Sequence, residues 1–113
     1  MSERAAEYQE QVTGSPPGTE YVVDGVAFDG FGDDTLKDAK GPGYEHHIDE
    51  DGQWKPYFKG ADSLVAQAER QLLAADGTPI EWSIAEEKAA DTIRNMLQDA
   101  GFGDIEVVYA PPK

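Results

Sequence analysis

The chain contains no cysteine among its 113 residues. A disulfide framework and a thiolate metal site are therefore excluded, and the redox compartment is left open. Long apolar runs are missing as well: none approaches the ~18 residues of a membrane-spanning helix. The first residues, MSERAAEYQEQV, lack the apolar segment of a secretory signal peptide. Basic residues are scarce, with nine Lys and Arg against 23 Asp and Glu, for a formal net charge of −14. A field of that sign repels phosphate, which argues against nucleic-acid binding through a broad basic surface. Any nucleic-acid function must rest on a local site that divalent cations neutralise. No P-loop, dinucleotide-binding glycine fingerprint or Ser-His-Asp pattern is present.

What the chain does have is 39% apolar and 10% aromatic residues, enough for one modest core. One domain over residues 1–113 is the expectation. Ala5, Tyr8, Gln9 and Val12 recur at helical spacing, predicting a helix over 3–12 that TGSPPG terminates. EYVVDGVAF places β-rich residues around Asp24-Gly25, a two-residue hairpin signal, and predicts strands 20–23 and 26–31. TLKDAK alternates as a third strand, 35–40. Residues 41–60 are rich in Gly, Pro and charge and read as an irregular segment. Leu64, Val65, Ala68, Leu72 and Ala75 form the buried stripe of a helix over 61–76. A fourth strand lies in GTPIEWSI. Ser83 and Glu86 have capping-box spacing ahead of a helix over about 84–100, with Gly101 as its C-cap. DIEVVYA is a fifth strand. The order αβββαβαβ gives an α+β fold, a mixed β-sheet flanked by helices.

The stretch FDGFGDDTLKDAKG crowds four aspartates around one turn. Side chains alternate across a strand, so Leu36, Asp38 and Lys40 share one face. Closing the hairpin with Asp33-Asp34 as its turn sets Phe31 opposite Leu36 and Asp29 opposite Asp38. Opposed side chains point to one face with Cβ atoms roughly 5 Å apart, and like charges placed so are destabilising. A hard divalent cation removes that penalty, because Mg²⁺ is held by one or two carboxylates together with water and phosphate oxygens. Asp29 and Asp38 are thus candidate ligands of Mg²⁺ or Mn²⁺. Lys40 is placed to orient or deprotonate the attacking water or to offset negative charge. This is equipment for phosphodiester hydrolysis. The plain alternative is a surface carboxylate paired with Lys40.

Two further clusters stand out. QWKPYFK interleaves Trp54, Tyr57 and Phe58 with Lys55 and Lys59, a pattern able to stack bases and hold phosphates, although aromatics pinning a loop to the core are the favoured explanation, with the lysines free to meet substrate. EHHIDEDG offers His46, His47, Asp49 and Asp51, but adjacent histidines on extended chain point apart and the calcium-loop spacing is missing. A solvated loop is expected there.

An acidic residue followed by Asp-x-Lys on a β-hairpin, inside an αβββαβ order, resembles the PD-(D/E)XK nuclease superfamily with its restriction-endonuclease-like core. YQ followed by TG, then VAFDGF, LKDAKG, AERQ, PIEW and IEVVYAP resemble more closely the restriction-endonuclease-type toxin domains, subfamily five, found at the C-termini of bacterial polymorphic toxins. The resemblance spans about Tyr8 to Pro111. It implies a metal-dependent nuclease toxin domain at the end of a larger effector, with nucleic acid, DNA foremost, as substrate. It implies export through type VI or another contact-dependent secretion apparatus or on a carrier polypeptide, without a signal peptide. It also implies action in the cytoplasm of a competing cell and neutralisation by a cognate immunity protein. By the same resemblance Asp29, Asp38 and Lys40 are the catalytic core, with Gln9 and Gln71 in support. Asp38 stands where the family usually has Glu, and Lys37 where an apolar residue is usual. The competing readings are a housekeeping repair or restriction nuclease of the same fold and a non-catalytic acidic DNA mimic.

Overall fold

The computed structural model describes residues 2–113. The first helix, α1 (Glu3–Thr13), starts on Ser2, whose hydroxyl accepts the Ala5 N–H at 3.1 Å, and stops at Gly14, which turns left-handed at φ 73°. Two short strands follow, β1 (Tyr21–Val23) and β2 (Val26–Phe28). They pair antiparallel across Asp24-Gly25, both at positive φ (50° and 78°), as a two-residue hairpin of right-handed twist requires. Next come β3 (Gly30–Gly32) and β4 (Thr35–Lys40), joined by Asp33-Asp34 at φ 54° and 59°. Then α2 (Gly60–Ala75), β5 (Ile80–Ile84), α3 (Glu87–Asp99) and β6 (Ile105–Tyr109) complete the chain.

The main sheet has the order β3-β4-β5-β6, with β3 antiparallel to β4 and the other pairs parallel. The hairpin β1-β2 forms a separate two-stranded sheet. Helix α1 packs against β4 and β3, whereas α2 and α3 meet one another and β5 on the opposite face. Leu36, Ile80, Trp82, Ile84, Ala68, Ile93 and Leu97 fill the core on that second side. On the first side Gly30 lets α1 come close, since a Cβ there would lie 2.9 Å from Cβ of Thr13.

The α+β expectation, a mixed sheet flanked by helices and consistent with a restriction-endonuclease-like core, holds. Two local expectations do not. The strand predicted over 26–31 breaks at Asp29, giving β2 to the small sheet and β3 to the large one. The N–H of Asp29 donates to the Lys37 carbonyl at 2.9 Å, although Lys37 already faces Gly30 in the ladder. Two residues oppose one, the arrangement of a β-bulge, which bends a strand and re-aims its side chain.

The capping box of Ser83 and Glu86 is also absent. Ser83 is a buried residue of β5, held in register between Ala39 and Val108, so the helix cannot begin there. It begins at Glu87, and the Glu86 carboxylate instead accepts the N–H groups of Gly43 (3.1 Å) and Glu45 (2.9 Å). The other end of α3 closes near Gly101 as expected. Ala100 is the C-cap, Gly101 adopts φ 85°, and Phe102 N–H reaches back to Leu97 O at 2.7 Å, a Schellman closure.

Candidate active site

Strand β4 alternates as its sequence requires: Leu36, Asp38 and Lys40 are buried on one face while Thr35, Lys37 and Ala39 are half-buried on the other. Asp38 is only 4% exposed and Lys40 only 7%. Their side chains form an ion pair, Nζ to Oδ1, of 2.9 Å. Charges rarely occupy such positions without partners, and here partners come from α2 and β5. The Gln71 side chain donates from Nε2 to Asp38 Oδ2 at 2.8 Å, and Gln67 Nε2 approaches the same oxygen at 3.3 Å. Lys40 Nζ also donates to Gln67 Oε1. Trp82, opposite Asp38 in the parallel register, donates its indole N–H to Gln71 Oε1 at 2.8 Å. Its ring lies 4.5 Å from Lys40 Nζ, within cation–π range.

Asp29 enters from the bulge. Its Oδ2 accepts the Ala39 N–H at 2.7 Å, which fixes the carboxylate alongside β4. Burial, and then the charge of Asp38, raise its pKa above the ordinary carboxylate value. Asp29 and Asp38 therefore interact electrostatically as the strand pairing foresaw, but through a bulge that sets Asp29 against Lys37 rather than directly opposite Asp38. A buried ion pair adds little net stability over apolar packing. A carboxylate shifted by burial and a second acid is instead a mark of a functional site.

The remaining candidate residues are spread out. Gln9 is buried on α1 and donates from Nε2 to the Thr19 carbonyl at 3.2 Å, tying the helix to the following loop. Trp54 stacks on Phe58, with ring centroids 4.9 Å apart, and packs against the core. Lys55 Nζ donates to the His46 carbonyl at 3.1 Å, while Tyr57 and Lys59 are exposed. The aromatics of this loop thus pin it to the body, with His47 stacking on Phe58 at 4.3 Å. In the acidic loop Asp49 Oδ1 accepts the N–H groups of Asp51 and Gln53, an Asx-type turn.

Gln67 and Trp82 belong to the site and were not singled out from the sequence. For Gln67 a signal existed: it stands three residues after Leu64 and four before Gln71, on one helix face. For Trp82 none did, because its place depends on the parallel register of β4 and β5.

Among the described residues no three His, Cys, Asp or Glu side chains gather into a ready-made cation cage. The Asp29–Asp38 pair nonetheless fits a hard cation of the Mg²⁺ kind, which completes its shell with water and phosphate oxygens. Asp38 Oδ2 already receives two amide donors, whereas Oδ1 pairs with Lys40.

A family model described as restriction endonuclease fold toxin 5 matches residues 5–87, well over half of the chain. The chain belongs to this family. The matched segment carries every group of the site, from Asp29 to Trp82, and ends as α3 begins. No curated protein and no solved structure matches the chain. As a restriction endonuclease fold toxin, the protein carries its acid–acid–lysine cluster, Asp29, Asp38 and Lys40, within the matched segment.

Proposed function

We propose that the protein is a metal-dependent nuclease that cleaves phosphodiester bonds, DNA foremost, inside competing bacteria. One observation carries the reading: Asp29, Asp38 and Lys40 converge on the central strand, with one carboxylate raised in pKa by burial and by the other. Asp29 and Asp38 would hold Mg²⁺ or Mn²⁺, which would supply charge stabilisation at the phosphate and make a water more acidic. The chain's own groups do the positioning. Gln71 and Gln67 fix the Asp38 carboxylate. Asp38, Gln67 and the Trp82 ring hold the Lys40 ammonium where it orients the attacking water and faces the negative charge that develops on phosphorus. The new bond joins the water oxygen to phosphorus, the bond from phosphorus to the leaving ester oxygen breaks, and one proton of the water passes by way of solvent to that oxygen.

The family's toxin character supports the rest of the reading. The domain reaches a neighbouring cell through a specialised secretion apparatus or on a carrier polypeptide and acts in that cell's cytoplasm. A cognate immunity protein protects the producer. A net charge of −14 suits an inhibitor with a basic face, because complementary fields speed encounter. Expression of the chain in the cytoplasm of a susceptible bacterium tests the reading: growth arrest with fragmented DNA is expected, and a folded Asp38→Asn variant should be harmless. Growth with intact nucleic acids under wild-type expression would contradict it.

A further inference from the structure

Beside Lys40 a cleft of about 430 Å³ opens between α2 and the loop 41–59. Its walls include Lys40 and Gln67 of the site together with Tyr44, Phe58, Ser63 and Arg70. The volume lies within the ~300–1,000 Å³ of small-molecule sites, room for one nucleotide unit and not for a duplex. Arg70 is the unusual member. It is exposed, it stands three residues after Gln67 on the same helix face, and among the described residues it makes no ion pair or side-chain hydrogen bond, in a chain where acids outnumber bases. The other arginine near the sheet, Arg94, is committed to Asp91 and to the Val107 carbonyl. Arg70 also borders a second groove that carries Asp24, Val26 and Leu73, so the residue lines both hollows.

The geometry points to this cleft as a subsite for a single strand of nucleic acid, in which Arg70 holds the phosphate next to the one that is cleaved. The inference rests on the nuclease reading and names its substrate class. A guanidinium recognises a phosphate with two parallel N–H donors, which a lysine cannot do. Tyr44 and the edge of Phe58 supply the apolar wall for base and sugar. Phe58 is held in place by its stacks on His47 and Trp54 and by the lack of a side chain at Gly60, where a Cβ would lie 2.2 Å from the ring. Arg70 is a positioning residue: it grips the strand and leaves the chemistry to Lys40 and the carboxylates.

The test compares wild type, Arg70→Gln and Arg70→Lys on fluorescein-labelled single-stranded DNA and RNA oligonucleotides and on bis(p-nitrophenyl) phosphate, which has no neighbouring phosphate. Arg70→Gln should raise the oligonucleotide KM about tenfold, lower the salt-dependence slope of binding by about 0.7, and leave kcat and hydrolysis of the small diester unchanged. Arg70→Lys should recover the slope but only part of the affinity. Cleavage by wild type with KM and slope unchanged in Arg70→Gln overturns the subsite and spares the nuclease reading. Oligonucleotide binding that depends on Arg70 without cleavage sustains the subsite while the nuclease reading fails. A wild-type protein that neither binds nor cleaves overturns both.

Discussion

Gln71 joins Asp38 to Trp82: its amide donates to the Asp38 carboxylate and its carbonyl accepts the indole N–H, each at 2.8 Å, and the residue is fully buried. The relay holds a charged group still inside an apolar core, and each member depends on the next. Gln71→Leu keeps much of the volume but leaves the indole N–H without a partner. A loss of about 1–3 kcal/mol is expected, read from urea denaturation. Trp82→Phe costs packing of its own, but added to Gln71→Leu it removes the orphaned donor, so the two losses should combine less than additively. An unfolding midpoint equal to wild type in Gln71→Leu would show that the relay does not hold Asp38.

Asp29 should make the protein less stable as the solution becomes more basic. Burial first, and the Asp38 charge second, raise its folded pKa above the usual 3.8. The folded state therefore binds the proton more tightly than the unfolded state does. This contribution is fully present below about pH 4 and is lost as pH rises through the folded pKa. Asp29→Asn keeps a carbonyl acceptor for the Ala39 N–H and cannot ionise. Urea midpoints measured from about pH 4 to 7 should converge for the two proteins at the acid end and favour the variant at the neutral end. Parallel curves would mean that neither burial nor Asp38 raises the Asp29 carboxyl in the folded protein.

Tyr8 closes the chain ends together. Its hydroxyl donates to the Ala110 carbonyl at 2.8 Å, across 102 residues, and burial with the neighbouring Tyr109 pushes its pKa up to about 12. The folded state keeps the phenol proton longer than the unfolded state, so stability should fall as pH rises from about 10 towards 12. Tyr8→Phe should cost about 1 kcal/mol at neutral pH and flatten the alkaline decline. Phenolate absorbance in the folded protein should show one tyrosine lagging the others.

Much of this architecture could be read from local chemistry. The alternation of TLKDAK alone puts Asp38 and Lys40 on one face, and the helical stripe of Leu64 and Ala68 turns Gln71 toward them. Asp24-Gly25 and Asp33-Asp34 announce their turns because few residues tolerate positive φ. What failed was decided across the chain. The bulge at Asp29 arises because one strand serves two sheets. The false capping box arose because Ser83 is claimed by Ala39 and Val108 on strands far away in sequence. Trp82 gained its role only through the parallel register, which no spacing within PIEW discloses.

The most direct test of the active site is cleavage of plasmid DNA and total RNA by the purified protein, with Mg²⁺ or Mn²⁺ and again with EDTA. Asp29→Ala, Asp38→Ala and Lys40→Met are run alongside, each shown to be folded by circular dichroism. The account predicts cleavage by wild type with either cation, none in EDTA, and a loss of at least about 100-fold in each variant. Full cleavage in EDTA, or wild-type cleavage by folded Asp38→Ala, would contradict it.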